Sequence, residues 1–342
     1  MNPRTAISSF PLLAALVALP AAASANTFVV DTTSDVTAAG DGVLTFREAM
    51  AAAALNPGAD TIDLTGVSGT ITLTGATALT AVGQDLTVTG PGANLLTVTL
   101  DPTAGANRFF NITAGAVDIS GLTLTGGSAA NGGAVLVSGG TVTLHELALV
   151  ANTASGTGTT DGGGALNVTG GVVTVQRSTL SGNTAANRGG AAQVLAGSLS
   201  FENATIASNV STTSSAGGVT ISGATSQLHF SFSTIYGNTT GGQTGGVRVN
   251  GGTCDYVSTV ISGNSGTQVT NTCTNLGNSY VTATGSGLAA LADNGGPTQT
   301  CAIASGSPLI DAGGSAGTLT VDQRGLSRLV DGNFDGTTTA DI

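Results

Sequence analysis

Lysine and tryptophan are absent from the 342-residue chain, and all eight basic residues are arginine. Charged residues make up only 8% of it, and just three of the 19 acidic ones are glutamate: Glu48, Glu146 and Glu202. Aromatic residues are held to 4% and methionines to two. Each shortage excludes something. A helical protein draws on Lys, Glu and Met in quantity. Disorder driven by charge needs a dense excess of one sign and few β-branched residues. A nucleic-acid surface needs basic patches, whereas this chain carries a net charge of −11. Beyond the N-terminal stretch no run is long and apolar enough to span a bilayer as a helix, so the mature chain is expected to have no transmembrane segment. What is present in quantity is glycine, 53 residues or about 15%, roughly twice the usual share, with threonine equally common. This is the composition of an all-β protein.

The first 25 residues predict a secretory leader. Arg4 supplies the positive region, Phe10–Leu19 the apolar run, and Ala23-Ser24-Ala25 a small-residue cleavage site. The run is too short for a comfortable membrane span. The protein is therefore expected to be exported, secreted or at the cell surface, starting at Asn26. Three cysteines in such a chain, Cys254, Cys273 and Cys301, allow one disulfide and leave one thiol; the spacing does not choose among the three pairings.

The chain repeats. Segments beginning at Val117, Val142, Val173, Leu199, Leu228 and Cys254 align without gaps, at spacings of 25, 31, 26, 29 and 26 residues. Each alternates apolar and polar residues, the signature of a strand with one buried face. Three residues after the last aliphatic of each copy stands Gly127, then Asn152, Asn183, Asn209, Asn238 and Asn264. Paired glycines follow at 132–133, 163–164, 189–190, 217–218 and 245–246, marking turns. A coil of about 27 residues cannot bury its apolar face alone, but stacked coils can, with strands about 4.8 Å apart and like residues on like. The expected ladders are Val117/Val142/Val173/Leu199/Leu228 and Leu124/Leu149/Leu180/Ile206/Ile235/Ile261, with an interior column of asparagine amides bonding coil to coil. A propeller would need around forty residues per blade. The reading is a right-handed parallel β-helix over 61–285. Before it, 26–60 forms a cap: Thr45 and Glu48 make a capping box, and Phe46, Ala49, Met50 and Ala53 line one side of a short helix over 46–55.

The Gly-Gly-Ala/Val, Val-Thr-Val and Ser-Thr-Leu-Ser-Gly-Asn-Thr strings, as in Gly189–Ala192 and Val173–Thr184, resemble β-helix proteins with polymorphic-outer-membrane-protein-like repeats. Gly42–Met50 followed by Asn56–Ile62 resembles the CSLREA domain, with Arg47-Glu48-Ala49 fitting and Leu44, Thr45 and Phe46 in place of that family's Cys-Ser-Leu. Asp293–Thr298, Gly306–Gly313 and Asp322-Gln-Arg-Gly325 resemble the choice-of-anchor Q domain, which assigns it residues 286–342. These resemblances imply an exported or surface-displayed bacterial β-helix and no particular reaction.

Two clusters carry chemistry. His145, Glu146, Arg177 and Glu202 are expected on one outer face, where a polysaccharide lyase or glycoside hydrolase of this fold would hold its site. Glu146 and Glu202 stand two rungs apart, roughly 10 Å, at or beyond the upper edge for an inverting pair. The plainer reading is a solvated face with a Glu146–Arg177 pair. Asp331, Asn333 and Asp335 have the D-x-N-x-D-G spacing of a calcium loop, but Ile342 stands where its final Glu belongs, so an ordinary Asx turn is the alternative. The expectation is a non-catalytic structural or adhesion module whose partner is a polysaccharide or a cell-surface component, with a carbohydrate-active enzyme as the runner-up.

Overall fold

A computed structural model describes residues 24–342 except 39, 75–78, 80–81, 214, 271, 315–318 and 333–335. The predicted leader therefore lies almost wholly outside the described residues. The rest is a parallel β-solenoid of about eight turns and about 26 residues per turn. Among the described residues four stacked sheets of ten, nine, seven and five strands form its faces.

The register follows from the alternation. In Thr141–His145, Val142 and Leu144 point inward while Thr143 and His145 point out. Rung pairing then places Val117, Val142, Val173, Leu199, Leu228 and Cys254 in one interior column of the ten-stranded sheet. Leu124, Leu149, Leu180, Ile206, Ile235 and Ile261 form the second, in the nine-stranded sheet. Both are the expected ladders. Phe201 and Phe230 stack in the core, ring centroids 5.3 Å apart and ring planes nearly parallel.

The asparagine column turns the same corner in every coil and is buried throughout. Asn152 Oδ1 accepts the Gly127 N–H, Asn183 Oδ1 the Asn152 N–H, and so on through Asn209, Asn238 and Asn264, each at 2.9 Å. Each Nδ2 also donates to the carbonyl of an aliphatic residue one coil back, from Leu124 for Asn152 to Ile235 for Asn264. Gln268 Oε1 accepts the Asn264 N–H at 3.0 Å and so ends the chain of amides. The paired glycines do more than turn. A Cβ on Gly133, Gly164 or Gly190 would sit 2.1–2.2 Å from a carbonyl oxygen of the next coil, so that column admits no side chain.

One disulfide joins Cys254 to Cys273 on adjacent rungs of the ten-stranded sheet, and Cys301 is free. Closing so short a loop restricts the unfolded chain by about 3 kcal/mol in the chain-entropy picture. At the other end the helix Phe46–Leu55 carries the complete capping box, and Phe46, Ala49, Met50 and Ala53 are buried. The Thr45 backbone and side-chain hydrogen bonds hold the Glu48 carboxyl below its usual range. Thr27–Val29, ahead of the helix, already pairs in parallel with Asp60–Asp63, so the first rung precedes the cap.

After the last coil the chain doubles back. Residues 286–342, with short hairpins at Leu288–Ala292/Thr300–Ile303 and Leu329–Val330/Thr339–Ala340, run over the outside of the nine-stranded sheet. The strands Thr179–Ser181 and Thr205–Ala207 are consequently buried on both faces, whereas Thr123–Thr125 keeps one face partly open. Among the described residues no helix is long and apolar enough to cross a membrane.

Candidate functional site

From Ala116–Ser120 onward, coil after coil passes from the ten-stranded to the nine-stranded sheet through a corner residue in the left-handed region. After Gly121 these are Glu146 (φ 53°), Arg177 (44°), Asn203 (51°), Phe232 (46°) and Ser258 (44°). A side chain there costs on the order of 1–2 kcal/mol. The next corner meets the same demand mainly with glycine: Gly126, Ala151, Gly182, Ser208, Gly237 and Gly263. The bulkier residues of the first corner must therefore do something glycine cannot, and their contacts say what.

Asn203, Phe232 and Ser258 grip the C-terminal segment with their side chains, Arg177 meets it through its backbone carbonyl, and Glu146 pairs with Arg177. Thr298 donates its hydroxyl to the Arg177 carbonyl at 3.2 Å. Asn203 donates from Nδ2 to the Val321 carbonyl at 3.1 Å, and its Oδ1 accepts from Arg328. The Arg328 guanidinium lies 4.1 Å over the Phe232 ring, an attraction strengthened where water is excluded. Ser258 Oγ accepts the Gly314 N–H at 3.0 Å. Beside the corner, Gln323 is buried as a hub. Its Nε2 donates to Thr179 and Thr298 hydroxyls, both at 2.9 Å, and its Oε1 accepts from Thr205 at 2.7 Å. Burial lowers the Arg328 pKa, the Asp322 and Asp341 carboxylates offset part of that, and the net value is about 10; the group stays charged at neutral pH.

The four residues singled out from the sequence all sit along this corner, on two adjacent columns. Arg177 pairs with Glu146 at 2.8 Å, both side chains about a third exposed, a geometry worth under about 1 kcal/mol. Glu202 accepts instead from Gln176 Nε2 at 2.8 Å, and His145 Nε2 meets Asp118 Oδ1 at 3.0 Å. A parallel pair, His229 and Asp255, lies further along the same sheet. The two glutamates thus each have their own neighbour and do not face a common point.

Two cavities flank the segment. One, of about 250 Å³, lies between Ala93, Asn94, Thr123 and Val150 of the solenoid and Asp293 and Pro297 of the segment. The other, of about 340 Å³, lies beside Arg328, Thr205, Thr234 and Cys301. Burial pushes the Cys301 thiol up to about 12, which keeps it protonated and a poor nucleophile.

Of the calcium-loop residues, Asn333 and Asp335 lie outside the described residues; Asp331 Oδ2 accepts the Gly336 N–H at 3.0 Å. Among the described residues no group of three or more His, Cys, Asp or Glu side chains is arranged to hold a metal ion. Sequence reasoning missed Asn203, Phe232, Gln323 and Arg328. The Asp322-Gln-Arg-Gly325 string marked one side of these contacts, but the partners, about a hundred residues away, carry no local signal. No family model, no curated protein and no solved structure matches the chain.

Proposed function

We propose that this protein is exported and serves at the cell surface or outside the cell as a non-catalytic structural or adhesion module, its partner a polysaccharide or another cell-surface component. The observation that carries this reading is the pairing of the acidic side chains along the corner. Glu146 is taken up by Arg177, Glu202 by Gln176 and Asp118 by His145. Glycoside hydrolysis in its commonest form uses two carboxyls flanking one bond. A stiff, hydroxyl-covered rod held by an unbroken amide ladder suits a spacer or a binding surface.

The test is incubation with a panel of acidic and neutral polysaccharides, scoring both retention and cleavage. Retention without new reducing ends is expected, and Glu146→Gln is expected to leave retention unchanged. Cleavage that Glu146→Gln abolishes would replace this reading by the carbohydrate-active one, with His145, Glu146, Arg177 and Glu202 as its residues.

Calcium belongs to the same proposal as a weak ligand of Asp331, Asn333 and Asp335. Three side chains without a bidentate Glu suggest a dissociation constant no better than about 10⁻⁴ M. Binding should stabilise mainly the C-terminal segment. Calorimetry with and without chelator, on the natural chain and on Asp335→Ala, tests it, and four identical melting curves remove calcium from the account.

A further inference from the structure

Arginine is scarce in this chain, eight residues against 19 acidic ones. The fold sets three of them directly against a carboxylate: Arg47 on Asp35, Arg177 on Glu146 and Arg324 on Asp322, at 2.7–2.9 Å. Arg328 is treated differently. Its Nη2 donates to Asn203 Oδ1 and its guanidinium lies over Phe232, but among the described residues no carboxylate forms an ion pair with it. Its Nε is buried with no hydrogen-bond partner at all. A cation withdrawn from water is normally paired, so this one is left asking for an anion.

Arg328 borders the cavity of about 340 Å³ between the nine-stranded sheet and the C-terminal segment, a size within the range of small-molecule sites. The lining has two characters. Ala204, Ala302 and Ile303 make an apolar side, while Thr234 and Thr300 bring hydroxyls. Asp322 and Asp341 also border it, but both are engaged. Asp322 is held by Arg324 and by the backbone N–H groups of Arg324 and Leu326 at 2.9 and 3.0 Å. Asp341 accepts the Asp311 N–H at 2.9 Å. Arg328, whose one hydrogen-bond acceptor is Asn203, is the least satisfied charge on the wall.

We propose that this cavity seats a hexuronate unit of an acidic polysaccharide, its carboxylate on the Arg328 guanidinium, which rests on the polysaccharide-binding reading above and gives that partner a chemical class. The sugar hydroxyls face Thr234 and Thr300, and the C–H face of the ring covers Ala302 and Ile303. Three features select this ligand. The guanidinium fork matches a carboxylate through paired hydrogen bonds, and Asn203 and Phe232 already hold it in place, so little ordering remains to be done on binding. The apolar side calls for a carbon skeleton, which inorganic phosphate and sulfate lack. A singly charged carboxylate meets less repulsion from Asp322 and Asp341 than a doubly charged phosphate ester would.

Isothermal titration of the purified chain with short oligomers of galacturonate, glucuronate and mannuronate provides the test, with their methyl esters, a neutral glucose oligomer and glucose 6-phosphate alongside. At least one uronate oligomer is expected to bind, and the esters, the neutral oligomer and the phosphate to bind about tenfold more weakly or worse. Arg328→Lys keeps the charge, loses the fork, and should weaken uronate binding about tenfold. Thr234→Trp fills the cavity from the sheet side and should abolish binding with the melting temperature unchanged, which separates a lost site from a lost fold. No uronate bound, esters bound as well as acids, a preference for the sugar phosphate, or uronate binding untouched by both variants would overturn the proposal. A neutral polysaccharide retained while the uronates are ignored sinks the uronate site and leaves the adhesion reading standing. A uronate bound at Arg328 and then cleaved upholds the site and overturns the non-catalytic reading.

Discussion

Leu180→Asp unfolds the solenoid. Leu180 is fully buried at the centre of the second aliphatic column, between Leu149 and Ile206 on the neighbouring rungs. Even Leu180→Ala should cost about 2–5 kcal/mol through lost apolar contact and the cavity left behind. A carboxylate there has no cation to pair with, since both neighbours are aliphatic, and several kcal/mol more go to stripping its water. Against the typical 5–15 kcal/mol that hold a folded domain, the sum should leave no folded population at moderate temperature. Far-ultraviolet circular dichroism and thermal unfolding of the purified variant read it directly. A variant that melts like the natural chain would mean that the register of the nine-stranded sheet is wrong.

Asn209→Ala comes next in size. Its Oδ1 accepts from both the Asn183 N–H and the Asn183 amide, each at 2.9 Å, and its Nδ2 donates to the Leu180 carbonyl at 2.9 Å. Removing the amide orphans those three groups in a fully buried column. At about 1–3 kcal/mol for each unsatisfied buried group, the loss should be about 3–9 kcal/mol, reduced if a water takes the vacated space. Urea unfolding should show a lower midpoint. A change below about 1 kcal/mol would mean that the ladder is decorative. Thr143→Ala, on the outer face of the neighbouring sheet, is the control and should be nearly silent.

These two substitutions fall on features plain in the sequence, because a solenoid repeats its physics every coil. Val142, Leu149 and Asn152 each recur several times at a nearly fixed spacing, so errors at one coil are corrected by the others. The cap helix was legible for a different reason: Thr45, Glu48 and the buried stripe from Phe46 to Ala53 are local signals within one short segment. The corner that holds the C-terminal segment was not legible. Asn203 and Phe232 occur once each in their column, and nothing in the alignment says that a corner residue faces a chain segment folded back from position 321 or 328. The pairing of Cys254 with Cys273 was open for a related reason. Only the rung register, which puts position 273 directly beneath 254, distinguishes it from the other two choices. The acidic cluster was legible as a neighbourhood and not as a geometry, since Glu146 and Glu202 share a corner without sharing a partner.

The C-terminal segment is also a ruler. It is pinned to Arg177 by Thr298 and to Ser258 by Gly314, with Asn203 and Phe232 held in between. These four corners follow one another at about 4.8 Å per coil, so the segment measures a fixed stack of coils. An extra coil spliced in between Arg177 and Ser258 would keep every ladder in register and still move the pins apart by one rung. The same coil added ahead of Ala93, beyond the stretch of solenoid that Asp293 and Pro297 border, would pass unmeasured. The molecule's length is thus free to drift on the first side and is gauged on the second.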